Sequence, residues 1–218
     1  PDLSIVVAEE QTAGRGRLNR KWYTPKDSAL AFSLILHPSS PAHLSRTVGL
    51  AALSITDSCL MLGLAPRIKW PNDILLKNYK TAGILIESIW SGEEIDTMVI
   101  GIGINVAKGS VPPSELLQFP ATSLEDALGY LPDREAFLHD ILLHLIQRRP
   151  QLGTDEFLAQ WQDLLVYRGQ QVEVQDGSGE GVTGSLIGLE SDGSLRLLDR
   201  NNNIVAARFG DVHLRPAL

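Results

Sequence analysis

The chain has 218 residues, 44% of them hydrophobic and 21% charged, with a formal net charge of −7. That length allows one sizeable core and a small second domain, and the composition excludes a largely disordered chain. The acidic balance argues against non-specific nucleic-acid binding, because no general basic face is expected. A single cysteine, Cys59, excludes a disulfide within the chain and points to a reducing, cytoplasmic setting. No apolar run approaches the roughly 18 residues of a membrane span. The chain opens Pro1-Asp2 without Met and runs at once into a strand-like segment, so natural sequence is expected upstream.

Leu3 to Ala8 is a short β-rich run, and Ala29 to Leu36 is a second of strand length. Ser40-Pro41 supplies an N-cap and a first-turn proline for a helix whose buried face is Leu44, Val48, Ala51, Ile55, Cys59 and Leu62, with Gly63 as its stop. Four short β-rich runs follow: Arg67 to Trp70, Ile74 to Leu76, Ala82 to Ile89 and Thr97 to Ile104, with Asn78 and Ser91-Gly92 as turn residues. Neighbouring strands after a lone helix favour a mixed, largely antiparallel sheet over a doubly wound parallel one. The middle then turns helical. Thr122 to Leu128 is a short helix, and Asp133 to Arg148 a longer one with Phe137, Leu138, Ile141, Leu142, Leu145 and Ile146 inward. Thr154 to Leu165 is a third, capped by Thr154 and carrying Phe157, Leu158, Trp161 and Leu165. From Gly169 onward only short strands remain: Gln171 to Val174, Val182 to Leu189, Leu195 to Leu198 and Ile204 to Phe209. Gly177, Gly179, Gly181, Asp192-Gly193 and Asn201 to Asn203 supply their turns. This tail reads as a small SH3-like barrel, which divides the α+β chain into residues 1–168 and 169–218.

Four segments carry more polar chemistry than a scaffold needs. Gly14-Arg15-Gly16-Arg17-Leu18-Asn19-Arg20-Lys21-Trp22 packs four cations and two glycines into nine positions of an acidic protein. Arginine presents a planar fork of donors to carboxylate or phosphate, and alternating glycine frees backbone N–H groups for the same oxygens. A solvated basic loop or an RNA contact would read the same way. Lys69-Trp70-Pro71-Asn72-Asp73 interrupts two strands, which a plain turn would also explain. Lys80 immediately precedes a strand, where an edge lysine is usually just solvated. Gly101-Ile102-Gly103-Ile104-Asn105 lacks the third glycine and the helix of a dinucleotide fold, so its glycines point instead to a close backbone approach. The five histidines are scattered, and there is no nucleophile elbow or Walker A loop. No metal ligands can be assigned.

Together these segments, in this order, make the chain resemble the catalytic core of biotin protein ligases from about Val6 to the C-terminus. The resemblance is carried by Glu9-Glu10-Gln11-Thr12-Ala13-Gly14-Arg15-Gly16-Arg17 with Arg20 and Trp22, by Lys69 to Asp73, by Lys80 with Ala82-Gly83-Ile84-Leu85, and by Gly101 to Asn105. The ending Gly210-Asp211-Val212-His213-Leu214-Arg215 is similar to that of the family's small C-terminal domain. The resemblance implies a class II synthetase-like catalytic domain with helices on one face of its sheet, and two successive reactions. Biotin and ATP form biotinyl-5′-adenylate and pyrophosphate. The biotinyl group then passes to one lysine of a biotin carboxyl carrier protein of a biotin-dependent carboxylase.

On that basis Lys80 and Arg17 are the expected catalytic residues. Lys80 would lie between the carboxylate and the α-phosphate, while Arg15, Gly16 and Arg17 wrap the carboxylate and the new phosphate, behind Gly14. Arg20 would reach the nucleotide phosphates, Trp22 would offer an apolar face and Gln11 a hydrogen bond in the biotin pocket. Asn72 and Asn105 would bind the nucleotide or position Mg²⁺, and Gly83, Gly101 and Gly103 would let the backbone approach the ligand. A loop so rich in Gly and Arg is expected to be mobile when empty and to close over the adenylate. Two departures stand out. The family's Ser/Thr-containing motif ahead of the first strand, which binds the ureido ring, has no counterpart before Leu3. Asn19 occupies a position that is Gly in many members, a mild change because Asn tolerates left-handed backbone. No DNA-binding domain precedes the core, so neither DNA binding nor membrane attachment is expected. A homodimer through a sheet edge is possible. The rival readings are a lipoate–protein ligase-like enzyme and a non-catalytic module that grips nucleic acid or peptide; affinity for nucleic acid would fall steeply with salt.

Overall fold

The computed structural model describes residues 1–17, 20–37, 45–117, 119–175, 181–208 and 213–216. Six strands form the main sheet in the order β1 (Ile5–Ala8), β2 (Ala29–Leu36), β6 (Glu94–Asn105), β5 (Tyr79–Ser91), β4 (Asp73–Leu76) and β3 (Pro66–Lys69). Every pairing between these strands is antiparallel. Among the described residues parallel character is confined to the isolated bridges Ile68–Leu165 and Lys80–Ala121, so the sheet expected to be mixed and largely antiparallel is antiparallel throughout its named strands. The two longest strands, β5 and β6, form one hairpin that turns at Gly92, which has φ +65°. The β4–β5 turn places Lys77 and Asn78 in the left-handed region, with φ 50° and 68°.

Alternation along the strands sorts their side chains. Ile100, Ile102 and Ile104 of β6 and Ala82 and Ile84 of β5 are buried in the core. On that side lies α1 (Arg46–Met61), which packs on β3, β4 and β5 and also on two outer helices, α3 (Arg134–Arg148) and α4 (Asp155–Asp163). Sandwiched this way, α1 is buried on nearly all sides, not along one stripe as its leucine and isoleucine spacing suggests. Its small hydroxyl residues are buried too, and Ser54, Thr56 and Ser58 turn their hydroxyls onto the carbonyls of Leu50, Leu53 and Ser54. Gly49 lets α4 in close: a Cβ there would come within 2.5 Å of the Trp161 ring. The expected helix start at Ser40-Pro41 lies outside the described residues. Gly63, at φ +77°, ends the helix as expected.

The short helix α2 (Leu124–Leu128) is capped by Ser123, α3 by Asp133 and α4 by Thr154, each side chain accepting from a backbone N–H of its first turn. Of the residues expected inward on α3, Phe137, Ile141 and Leu145 are buried and Leu138 and Leu142 partly so, while Ile146 is exposed. Fully buried Cys59 has its thiol pKa pushed up to about 12 by burial. It should therefore resist thiol reagents in the native protein at neutral pH and react only on unfolding. Rapid labelling of the folded chain would refute this.

The second sheet runs in the order β10 (Ile204–Ala207), β9 (Leu195–Leu198), β8 (Gly181–Leu189), β7 (Gln171–Gln175) and β11 (His213–Pro216), all antiparallel. The strand β11 was not foreseen as an element, although its residues belong to the ending noted above. Gly177, Gly179, Phe209 and 210–212 fall outside the described residues. This sheet meets the main unit where β8 lies on α4, Gln162 Oε1 accepting from Leu189 N at 2.9 Å, and at the turn before β9. There Arg46 Nε donates to the Ser191 carbonyl at 2.7 Å, the Ser45 hydroxyl donates to the Asp192 carbonyl, and Trp70 Nε1 donates to the Gly193 carbonyl at 3.0 Å. The Asp192 carboxylate accepts from the Ser194 N–H at 2.9 Å. Partial burial would raise its pKa, but this hydrogen bonding and the nearby Arg208 hold it below the ordinary carboxylate value. A depressed pKa contributes stability that is present above the ordinary value and lost as pH falls through the folded one. Asp192→Ala should accordingly lower the melting temperature at neutral pH, with the gap from the parent closing in acid; a gap that stays constant down to pH 3 would contradict this.

Candidate active site

The face of the main sheet opposite α1 is where small residues line up. Ala8, Ala31, Gly103, Gly83 and Asp73 sit side by side across β1, β2, β6, β5 and β4, and Ser33, Gly101 and Leu85 form the next row. Facing partners in an antiparallel sheet share a side, so these rows form a shallow trough. The indole of Trp22 lies in it: a Cβ on Gly103 would come within 2.3 Å of the ring, and one on Gly83 would meet Trp22 Cζ3 at 3.2 Å. The indole N–H is buried, with no hydrogen-bond partner among the described residues.

Trp22 is delivered by a hairpin. Gln11 bridges Thr24 and Arg15 bridges Lys21, with Trp22 N donating to Gly14 O at 2.9 Å and Gly16 N to Arg20 O at 2.8 Å. Gln11 Oε1 also accepts from the Thr24 hydroxyl at 2.8 Å. Arg15 and Arg17 both tie the hairpin to its surroundings. Arg15 reaches Glu87 at 3.4 Å, and Arg17 donates to Asn72 Oδ1 at 3.3 Å. Asn72 is itself fixed, its Nδ2 donating to Ile84 O at 2.8 Å.

Lys80 stands at the head of β5 with its backbone held on both sides. Its N–H donates to Pro120 O at 2.8 Å, and its carbonyl accepts from Thr122 N at 2.9 Å. Its ammonium is 2.7 Å from Asp73 Oδ1, off the direction of an aligned hydrogen bond, and 5.5 Å from the Trp22 ring centroid. Asn105, 4% exposed, donates Nδ2 to Thr122 O at 3.1 Å. The result is a cleft of ≈ 640 Å³.

Gln11, Arg15, Gly16, Arg17, Arg20, Trp22, Asn72, Lys80, Gly83, Gly101, Gly103 and Asn105 all line this cleft. Gly14 does not. It sits in the hairpin base, where a Cβ would strike the Trp22 carbonyl oxygen. The sequence reading overlooked one wall, made by Pro112, Leu116, Leu117, Phe119 and Ala121. This irregular segment has no periodicity to flag it; its only signals are Pro112-Pro113 and Phe119-Pro120. Phe119 is engaged by Lys69, whose ammonium is 3.9 Å from the ring centroid. Asp73, Glu87 and Ser33 were also given no role. Glu87 was legible, lying four residues beyond Gly83 on the same strand face. Among the described residues no group of three or more His, Cys, Asp or Glu could hold a metal ion, and no helix is long and apolar enough to cross a membrane.

Cations converging over a small-residue floor define a site built to bring anions together on an antiparallel sheet. Residues 1–105 match the model of the biotin/lipoate A/B protein ligase family. The chain is 36% identical to a biotin–[acetyl-CoA-carboxylase] ligase of Paracoccus denitrificans, covering 88% of this chain and 82% of that protein. It is 33% identical to the bifunctional ligase/repressor BirA of Bacillus subtilis, over 98% of this chain and 67% of the relative. Its fold superposes on biotin protein ligase from Aquifex aeolicus in complex with biotin and ATP, with a TM-score of 0.84, 29% identity, and coverage of 98% and 89%. The chain belongs to the biotin/lipoate A/B protein ligase family.

Proposed function

We propose that the protein activates biotin with ATP to biotinyl-5′-adenylate and transfers the biotinyl group to a lysine of a carboxylase carrier domain in the cytoplasm. The observation that carries this reading is the convergence of Lys80, Arg15 and Arg17 on one cleft over the Trp22-filled trough. In the first step the biotin carboxylate oxygen attacks the α-phosphorus, the bond to the β-phosphate bridging oxygen breaks, and pyrophosphate leaves. Two anions must meet, so fixed positive charge is the main catalytic requirement. Lys80 is fixed before substrate arrives, and Asp73 balances its charge until the carboxylate and phosphate take over. Arg17, bracketed by Asn72, would stabilise the phosphate, with Arg15 and Arg20 reaching the remaining oxygens. Trp22 and Gln11 would form the biotin side. In the second step the carrier's neutral lysine amine attacks the acyl carbon, AMP leaves with the bonding pair, and the proton lost from the amine nitrogen passes to solvent.

Magnesium fits this donor set as a nucleotide-borne ion, since Mg²⁺ takes one or two carboxylates together with phosphates and water. Asp73, whose Oδ1 is buried without an aligned donor, and the Asn105 amide would hold it. Bound there it would neutralise phosphate charge. Residues 1–168 would then be the catalytic unit, with 169–218 as its accessory domain.

Magnesium-dependent ATP–pyrophosphate exchange tests the proposal. Exchange that requires biotin supports it; exchange driven by lipoate and not biotin would reassign the cofactor. Arg17→Gly removes the link to Asn72 and should shorten the lifetime of bound adenylate at least about ten-fold, as expected for losing a charged hydrogen bond. An unchanged lifetime would remove Arg17 from that role.

A further inference from the structure

We propose that the Ser191–Gly193 turn of the second sheet is a positioning element for the nucleotide half of the cleft, acting through Trp70. This rests on the ligase reading for what the cleft binds, but the mechanical coupling does not. Three consecutive carbonyls of the turn, at Ser191, Asp192 and Gly193, each accept a side-chain donor from the main unit, namely Arg46, Ser45 and Trp70. Two of those donors, Arg46 and Trp70, are 7% and 1% exposed, so their hydrogen bonds are not replaceable by water.

The turn is rigid on its own side. Gly193 takes φ +86°, its N–H donates to Glu190 O at 2.8 Å, and Glu190 N donates to Ser194 O at 2.8 Å. The Gly193 carbonyl is therefore aimed before it meets the indole. Across the contact, Trp70 occupies the middle of the segment that carries the site's fixed groups. Lys69 before it grips Phe119 in the cleft wall. Asn72 after it holds Arg17 and accepts from Ile84 N at 2.9 Å, and Asp73 pairs with Lys80. A ring locked between the core and a carbonyl of another sheet fixes where this short segment leaves β3. None of the three turn carbonyls touches the cleft, so the turn acts only through the residue it holds.

Trp70→Phe keeps the ring but deletes the N–H, and Gly193→Ala reaims the carbonyl from the other side, because alanine resists a left-handed φ. Both variants should exchange the Ile84 amide, bonded to Asn72 O, at least about ten-fold faster, while amides between β2 and β6 stay as protected as in the parent. In pyrophosphate exchange both should raise KM for ATP about five- to fifty-fold and leave KM for biotin within about two-fold. The double variant should be no worse than the worse single. Unchanged Ile84 protection in both variants overturns the proposal even if the parent shows no biotin-dependent exchange, an outcome that would sink the ligase reading separately. Uniform loss of protection, or equal rises in both KM values, overturns it too, since either would mean a general structural role.

Discussion

Lys80→Ala is expected to reduce biotin-dependent ATP–pyrophosphate exchange by about two to three orders of magnitude, the usual cost of deleting one preorganised charge from a site that stabilises developing anions. The fold should survive. Lys80 is held by its backbone through Pro120 O and Thr122 N, and alanine keeps both hydrogen bonds. Its side chain contributes an ion pair with Asp73 that is partly exposed, with side-chain exposures of 26% and 18%. Removing it leaves Asp73 without its cation beside the incoming carboxylate and phosphate, which adds repulsion to lost attraction. Lys80→Arg should recover little, because a planar fork does not reproduce a compact ammonium between two anions. Near-parental exchange in Lys80→Ala, with an unchanged melting temperature, would remove the residue from the mechanism.

Gly103→Val should be nearly as damaging by a different route. The first side-chain carbon at this position would occupy the space of the Trp22 indole, and the strand backbone cannot move aside because β6 is paired on both edges. The indole must therefore leave the trough, taking with it the apolar face and the geometry of the hairpin that carries Arg15 and Arg17. Overpacking of this kind costs about 1–3 kcal/mol in stability. The loss of activity should be larger than that cost implies, because the displaced group lines the site. A double-variant cycle separates the two effects: Trp22→Ala should relieve the clash, so that Gly103→Val costs far less stability in its presence. Additive melting shifts would show that the glycine is small for some other reason.

How much of this was legible beforehand can be judged residue by residue. Ala29–Leu36 was delimited to the residue, because an apolar run broken only by Ser33 and bounded by Ser28 and His37 has one reading in a central strand. The cap at Thr154 was equally local, since the side chain that ends the loop also accepts from the first turn, while Asp133, read as the first residue of its helix, proved to be its cap. The basic hairpin, the Lys69–Asp73 segment, Lys80 and the paired glycines were identifiable as chemistry without a fold, because their residue types are costly or unusual where they stand. The antiparallel order β1-β2-β6-β5-β4-β3 was not, nor was the burial of α1 on both faces, because both depend on which elements meet.

What the sequence determined by itself was thus the set of reactive and permissive groups, and the family they suggest. Only the tertiary structure decided how they combine. Glycines 83 and 103, twenty residues apart, became neighbours across one pair of strands and made room for a tryptophan from a third segment. Lys80 acquired Asp73 from the next strand, Arg17 acquired Asn72 from the β3–β4 connection, and the Pro112–Ala121 wall became part of the cleft though nothing periodic marks it. Trp70, which in one dimension looks like an apolar spacer in a polar motif, became one of the contacts between the main unit and the second sheet. Local propensity and pattern act over a few residues, whereas register, layer stacking and the meeting of distant loops are fixed by packing that the whole chain must satisfy at once.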